Sequence, residues 1–210
     1  MGEKTRIHRL AERGVTDRRQ INQILDEGLV CHAAYVIDDR PVVIPTLYVR
    51  NGDHLLLHGS NSSGLVRAVG DRSPLSVGVT HIDGLVVARS GFHSSANYRS
   101  VVVHGRGRIL AGEEHRKALD VIVETLIPGR LSDIRHPTEA EIKQTSIIEL
   151  SLDEVSAKVR SGGPADDPAD LTSDAWAGIV PFSLVAGEAE PAEDLRGGIP
   201  IPDYLQPYQL

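Results

Sequence analysis

This sequence contains little cysteine, few aromatic residues and no long apolar run. One cysteine among 210 residues excludes an internal disulfide framework and a cysteine-rich zinc site. No apolar stretch approaches the roughly 20 residues that cross a membrane, and the charges throughout residues 1–14 are unlike a secretory signal. The net charge of −7 makes nonspecific nucleic-acid binding unfavourable. We therefore expect a cytoplasmic protein that binds neither a membrane nor nucleic acid.

Charge and turn-forming residues are unevenly distributed along the chain. Residues 161–210 contain nine acids, one base and seven of the twelve prolines, so we place a core domain at 1–160 and an acidic, Pro/Gly-rich segment after it. That segment is either a disordered tail or a strap that packs on the domain or on a partner subunit. We favour the strap, because its apolar side chains require burial. These side chains are Trp176, Ile179, Val180, Phe182, Leu184 and Val185.

The core domain has the sequence pattern of a mainly β protein. Helices are predicted at 17–27, with Thr16 as the N-cap, and at 113–127 and 138–143. Asn51-Gly52, as a type I′ turn, and Asp83-Gly84 are the hairpin signals. Six or seven strands with tight antiparallel turns favour a closed or nearly closed β-barrel. The predicted strands are Leu29–Ile37, Val42–Arg50, 53–58, Leu75–Ile82, Leu85–Arg89, Tyr98–Leu110 and Ser146–Leu152.

The segment from His58 to Arg67 is the strongest candidate for ligand chemistry. It leaves a strand and enters a short helix, where serine hydroxyls and unpaired backbone N–H groups favour an anion. Arg67 lies one turn beyond Ser63 and can add positive charge beside a phosphate. The alternative interpretation is an ordinary polar loop with an N-cap.

Two further segments combine basic side chains with hydroxyls or amides. Residues 88–100 lie between two strands and offer hydrogen bonds suited to the edge and ribityl chain of a flavin. Because side chains alternate along a strand, only one or two of residues 97–99 can face a ligand together. Lys158 and Arg160 share one face of an extended segment. The alternatives are a solvated connection for the first segment and a solvated basic strand end for the second.

The histidines and the cysteine do not predict a metal site or a nucleophile. Folding could bring His58, His93 and His104 together, but no HxxxH or HExxH spacing is present. Cys31 lies in an apolar strand, where it fits a small buried hydrophobe. Its neighbour His32 points to the opposite face of that strand. We therefore predict no metal site.

Two motifs give the chain a family resemblance. The first is ARSGFHSSANYRSV at 88–101, and the second is KVRSGGPADD at 158–167 followed by WAG at 176–178. Together with the order of elements from the first helix to Trp176, they resemble the pyridoxamine 5′-phosphate oxidase-like flavoproteins. Within that family the likeness is to an FMN-binding branch related to the nitroimidazole-resistance proteins. The resemblance implies a split β-barrel homodimer with one FMN at each end of the subunit interface.

The resemblance also implies where FMN binds. The segment 43–46 matches a strand that lies along the isoalloxazine ring, 58–65 matches the phosphate turn, and Arg99 and Ser100 match positions that reach the flavin from the partner. With the candidates from the residue patterns, the cofactor-binding set is Val43, Ile44, Pro45, Thr46, His58, Gly59, Ser60, Ser62, Ser63, Gly64, Leu65, Arg67, Asn97, Tyr98, Arg99, Ser100, Lys158 and Arg160.

The expected function is FMN-dependent oxidation or reduction of a small molecule. His58 is the candidate proton donor, and Arg99 or Lys158 would favour a reduced, anionic flavin. Without a Gly-rich dinucleotide fingerprint, NADH or NADPH is expected only as a transient reductant. Gly64 and Leu65 replace the Arg-Lys pair of true pyridoxamine-phosphate oxidases, which argues against vitamin B6 oxidation. The alternatives are a flavin-binding carrier or sensor without turnover, and a relative that binds deazaflavin or heme.

Overall fold

The structure, a computed structural model, describes Thr5 and residues 7–206, which form ten strands and four α-helices. No helix within these residues has the length and apolar character needed to cross a bilayer. The strands are β1 (Gly14–Val15), β2 (Val30–Ile37), β3 (Arg40–Asn51), β4 (His54–Ser60), β5 (Leu75–Val87), β6 (Ser95–Gly105), β7 (Arg108–Ile109), β8 (Thr145–Ser151), β9 (Glu154–Arg160) and β10 (Gly178–Pro181). The helices are α1 (Arg18–Asp26), α2 (Gly64–Gly70), α3 (Gly112–Leu126) and α4 (Glu139–Gln144).

The described strands form one antiparallel sheet in the order β1-β9-β6-β5-β2-β3-β4-β8-β7, with β10 paired to β5. The sheet divides along β3, because β3 pairs with β2 as far as Leu47 and with β4 from Tyr48 onward. The mainly β barrel that the sequence predicts is therefore confirmed.

Two clusters of buried side chains stabilise this sheet. The larger cluster fills the barrel with Val, Leu, Ile and Ala side chains, and α1 adds Ile21, Ile24 and Leu25 to it. The smaller cluster packs α3 against β3, β4 and β8 through Ala118 and Ile122. Each fully buried aliphatic side chain contributes about 1.5–3 kcal/mol. The core thus rests on aliphatic residues, as the scarcity of aromatics requires.

The β2–β3 and β3–β4 turns have different types, and the β3–β4 turn differs from its predicted type. Asp38 and Asp39 join β2 to β3 with φ values of 50° and 56°, which are those of a type I′ turn. Asn51 remains in β3, and the loop to β4 is Gly52-Asp53, with φ of 61° at Gly52. A glycine at the first central position is typical of a type II′ turn. The hairpin is confirmed at this place, and its predicted type I′ geometry is wrong.

Two other local predictions are also wrong. The N-cap of α1 is Asp17 and not Thr16, since its carboxylate accepts a hydrogen bond from the Arg19 N–H at 3.1 Å. Asp83-Gly84 is a bulge inside β5 and not a hairpin, because β5 pairs with β6 on both sides of it and only the register shifts. The dipeptide thus forms a bulge and not a hairpin, because β6 keeps the residues on both sides of it extended.

The strap after residue 160 contacts the barrel at several points. The Asp166 carboxylate, only 1% exposed, accepts hydrogen bonds from the Arg89 N–H and guanidinium, both at 2.7 Å. β10 pairs with the second half of β5, beyond the point where β2 ends. The Tyr204 hydroxyl donates to Asp133 at 2.6 Å. Between these contacts most side chains stay exposed, and Trp176 is 65% exposed in the single chain.

Candidate ligand-binding site

The β4–α2 turn has a fixed backbone and a free polar rim. The Asn61 amide donates to the Lys143 carbonyl at 2.6 Å and accepts from the Ser146 hydroxyl at 2.7 Å, which holds the turn to β8. The Ser63 hydroxyl accepts from the Val66 N–H at 3.2 Å and caps α2. The predicted short helix is confirmed, and Ser63 forms the N-cap that the alternative interpretation of this segment included.

The groups left for a ligand at this turn are fewer than the sequence suggests. The Ser60 and Ser62 hydroxyls lie 3.1 Å apart on the exposed side. The Arg67 guanidinium is exposed and has no ion pair or hydrogen bond with any described residue. The Leu65 side chain is buried in the core, so it cannot contact a ligand there. The polar rim thus consists of two hydroxyls and one uncompensated positive charge.

Gly64 allows α2 to lie close to β2. A Cβ at this position would lie 2.7 Å from the Tyr35 hydroxyl oxygen, closer than side-chain packing allows. This chain has Gly64 and Leu65 where true pyridoxamine-phosphate oxidases have an Arg-Lys pair. A side chain at position 64 would collide with Tyr35, which gives a steric reason for the glycine.

The predicted contacts on β3 divide between the two faces of the sheet. Val43 is 61% exposed and Pro45 is also exposed, whereas Ile44 packs against the core and Thr46 is half-buried. Because alternate residues point to opposite faces, only Val43 and Pro45 can lie against a ligand outside the barrel.

We call this exposed side the outer face, defined by Val43, Pro45, Ala34, Ser76 and His104. Val43, Ala34, Ser76 and His104 are consecutive register partners on β3, β2, β5 and β6. Three strand spacings place the first and last of these residues about 14 Å apart. The outer face thus connects a predicted flavin contact to a histidine that was not in the predicted cofactor set.

A cleft of about 670 Å³ extends across the outer face, from Val43 on β3 to His104 on β6. Clefts of this size suit a small-molecule ligand or a cofactor. Most of its lining is apolar, and its basic side chains are His104 and Arg106. The His104 imidazole makes no side-chain hydrogen bond with any described residue, and the Arg106 guanidinium donates only to a backbone carbonyl, that of Arg72. The lining residues are Ala34, Tyr35, Val36, Pro41, Val42, Val43, Pro74, Leu75, Ser76, His104, Gly105, Arg106 and Glu154.

Sequence reasoning considered His104 only for a metal cluster. The sequence pattern that could have indicated His104 is the run Val101–His104. Val101 and Val103 point into the barrel, and His104 lies on the outward face of the same strand. Among the described residues no three His, Cys, Asp or Glu side chains are grouped to hold a metal ion. His58, His93 and His104 belong to β4, the β5–β6 connection and β6.

Arg99 is neutralised within its own chain. Its guanidinium binds Asp83 at 2.9 Å and also Glu27. The hydrogen bonds that Arg99 donates to Asp83 raise the pKa of Arg99, and the hydrogen bond to Glu27 and its charge add to this effect. Burial is the largest influence on Glu27 and raises its pKa, but the hydrogen bonds from Arg99 and Gln23 and the nearby positive charge together outweigh burial, so the pKa is lowered. Arg99 therefore acts here as an anchor between α1, β5 and β6.

Ser100 and Tyr98 lie on the face of β6 opposite Arg99, the face that carries His104. Ser100 is the register partner of Lys158, whose ammonium donates to the Arg9 carbonyl at 2.8 Å and has no carboxylate partner among the described residues. Lys158 is thus a basic residue of this region that no described carboxylate neutralises.

The side chains of Asn97 and Arg160 form a hydrogen bond with each other. The buried Asn97 side chain accepts a hydrogen bond from the Arg160 guanidinium, which also donates to the Gly162 carbonyl at 3.4 Å. These contacts fix the point where β9 leads into the strap.

A single chain does not bring all predicted site residues together. The turn at β4 and the polar part of β6 are separated in the sheet by β3, β2 and β5. Cys31 is fully buried, and burial raises the pKa of its thiol to about 12, so it is inert at neutral pH.

Comparison with known proteins adds to this geometry. The family model described as pyridoxamine 5′-phosphate oxidase matches residues 17–159. The chain is similar to the flavocytochrome Anf3 from Azotobacter vinelandii, with 31% identity over 100% of this chain and 98% of that chain, and a TM-score of 0.94. It is similar to the FAD and heme binding protein from Mycobacterium smegmatis, with 35% identity over 92% of this chain and 96% of that chain, and a TM-score of 0.89.

A protein assigned to 5-nitroimidazole antibiotic resistance in Bacteroides thetaiotaomicron shares the fold. It is 18% identical over 70% of this chain and 86% of that chain, with a TM-score of 0.59. No curated protein sequence matches the chain.

Proposed function

Because the chain belongs to the pyridoxamine 5′-phosphate oxidase family, we propose that it is a homodimeric oxidoreductase that binds a flavin and a heme. The observation that carries this proposal is the cleft beside Val43 that contains His104 and Arg106. Support comes from the two relatives above 30% identity, of which one is a flavocytochrome and the other binds FAD and heme. The expectation of FMN becomes a proposal of FAD, because FAD is the flavin named for that relative.

The flavin would lie on the β3 side of the outer face. Val43 and Pro45 offer a flat apolar surface for an aromatic ring, and Ser60, Ser62 and Arg67 offer donors and charge for a phosphate. Lys158 from the partner would supply the positive charge near the ring, since its own chain leaves it uncompensated. Arg99 is unsuited to this task, because two carboxylates already neutralise it.

The heme would lie at the β6 end of this cleft, and the flavin would contact Val43 at its β3 end. The residues fit heme, since the mainly apolar lining holds one imidazole without a hydrogen-bond partner and one guanidinium without an ion pair among the described residues, with Glu154 as its one acidic side chain. His104 would ligate the iron, and Arg106 would bind a propionate. When bound, the flavin and the heme supply hydride and one-electron chemistry respectively. Val43 and His104 are about 14 Å apart on the outer face, so the flavin and the heme would lie side by side there.

His58 is the proposed proton donor. Its side chain is exposed at the end of β4, next to the polar rim of the β4–α2 turn. Imidazole exchanges a proton near neutral pH, so it can serve a substrate that is reduced beside the flavin. NADH or NADPH would act as a transient reductant of the flavin.

The spectrum of the purified protein tests both cofactors. We expect a Soret band together with flavin absorbance, and flavin bleaching on addition of NADH or NADPH. Chromatography of the flavin released by heat distinguishes FAD from FMN. A preparation that takes up neither cofactor on reconstitution would overturn the proposal, and one that takes up flavin without heme would reduce it to the flavin part.

A variant pair assigns the heme ligand. We expect His104→Ala to lower heme affinity by more than the roughly 10- to 100-fold that loss of an outer-shell partner costs, while flavin content stays unchanged. His136→Ala is the matched control, because His136 is exposed and lies outside the cleft. Heme loss in His58→Ala and not in His104→Ala would move the ligand to the β4–α2 turn.

A further inference from the structure

Residues 183–202 of the strap form a segment that we call the hoop. One end follows Phe182, whose N–H donates to the Asp83 carbonyl at 3.0 Å. The other end precedes Tyr204, whose hydroxyl donates to Asp133 at 2.6 Å and whose ring lies against Gly129. Between these anchors the hoop contains no helix or strand. It therefore projects from the barrel as a loop that is fixed at both ends.

The hoop buries almost nothing in its own chain. Every residue from 183 to 201 is exposed, including Leu184 at 79% and Val185 at 76%. Openings of about 810 Å³ and 580 Å³ are lined mainly by hoop residues. Holding a segment in one conformation costs backbone entropy, and only burial offsets that cost. The hoop therefore requires a surface to cover.

The total exposed area indicates how large that surface is. The single chain exposes 13510 Å², whereas a compact monomer of this mass exposes about 9,500 Å². The excess is about 4,000 Å² for each protomer and about 8,000 Å² for two, which is at the upper end of obligate subunit interfaces and far exceeds what a small ligand covers. The occupant of the hoop is therefore a protein surface.

The chain itself offers a matching surface. Val30, Val36 and Leu47 accompany Val43 as exposed apolar side chains on β2 and β3. The hoop carries four acids, Glu188, Glu190, Glu193 and Asp194, and one base, which disfavours nucleic acid or an anionic membrane as the occupant. A second copy supplies apolar area without a large opposing charge, since residues 1–160 are close to neutral.

We infer that the hoop of each protomer packs around the barrel of a second copy of this chain. This inference rests on the proposed homodimer and goes beyond it, because it makes the strap an interface element. It also makes the hoop a cover for the partner's outer face, where the proposed cofactors lie.

Thiol protection in the full-length apoprotein tests the inference. Val185→Cys places a thiol in the hoop, Ile109→Cys places the control thiol on β7, and the native Cys31 is fully buried. In the single chain residue 185 is 76% exposed and residue 109 is 37% exposed, so the single chain predicts faster alkylation at 185. We expect the opposite order by about tenfold, because the partner covers the hoop. Light scattering on both variants gives the mass, which should be that of a dimer.

A second pair of variants separates packing on the partner from packing on the same barrel. Leu184→Asp should convert the dimer to a monomer, and Ile109→Asp should leave it dimeric. A dimer with a rapidly alkylated thiol at 185, or one that survives Leu184→Asp, would overturn the inference and leave the homodimer standing. A monomeric wild type would overturn both, and a protected thiol in a monomer would show that the hoop packs on its own barrel.

Discussion

The barrel and the strap differ in how far their apolar side chains are buried within the chain. Along β4 and β8, residues such as Leu55, Leu57, Ile148 and Leu150 are completely buried by other residues of the same chain. In the strap, Leu184, Val185 and Trp176 are mostly exposed although the backbone is held at Asp166, β10 and Tyr204. The comparison indicates that one chain suffices to fold the barrel, whereas the strap depends on what it covers.

The largest difference is expected between core and hoop truncations. Ile148→Ala should lower the free energy of unfolding by about 2–5 kcal/mol, because it leaves a cavity in a fully packed core. Leu184→Ala should change the unfolding of the protomer by less than about 0.5 kcal/mol. Chemical denaturation at several protein concentrations measures the contrast, because a loss at a subunit interface depends on protein concentration and a loss in the protomer core does not. Equal losses that do not depend on concentration would mean that the hoop belongs to the core of the protomer.

Alkaline pH should weaken the barrel through Cys31. Burial raises the pKa of this thiol to about 12, so the unfolded chain releases its proton at a lower pH than the folded chain. Stability is then fully present below about pH 8.5 and falls by about 1.4 kcal/mol per pH unit above it. Unfolding curves between pH 8 and 10 should show this slope in wild type and lose it in Cys31→Ala. A slope that persists in the variant would assign it to another group.

Replacing a glycine with valine should destabilise the protein more at a barrel turn than in the strap, because the turn glycine has a positive φ. Gly52→Val should cost about 1–2 kcal/mol, because φ is 61° at this position. Gly163→Val is the matched control, since that glycine has open space around it and φ outside the left-handed region. Thermal melts of the two variants provide the comparison, and a melt of Gly52→Val equal to that of wild type would contradict the turn assignment.

The smallest expected effect is local detachment of the strap. Burial of Asp166 opposes its ionisation, but the hydrogen bonds from Arg89 outweigh burial and lower its pKa. The contact is therefore present at neutral pH and is lost only as pH falls below the usual carboxyl range of about 4. Asp166→Asn should increase proteolysis at 161–177 at pH 7 without changing the melting of the barrel. Unchanged proteolysis would mean that β10 alone holds the strap.

Local chemistry predicted much of the fold because it acts between neighbouring residues. The hairpin beside Gly52, the helix that ends before Gly28 and the short helix after Ser63 each depend on a few adjacent positions. Asp83-Gly84 has the same local signal as a hairpin, yet both of its flanks are held extended by β6. The dipeptide alone does not show that the residues on both sides of it pair with the same strand, so the bulge could not be predicted from it.

Composition, hydrophobic alternation and turn residues are properties of the chain alone, and from them a mainly β barrel with an aliphatic core, a polar turn at 58–67 and an acidic C-terminal segment could be predicted. Which side chains of those segments are free became clear from the folded structure. It buried Leu65, paired Arg99 with Glu27 and Asp83, and left Arg67, Lys158 and His104 without such partners. The physical reason is that ion pairs and burial join residues far apart in sequence, such as 27 with 99 and 89 with 166, whose meeting depends on strand order and register.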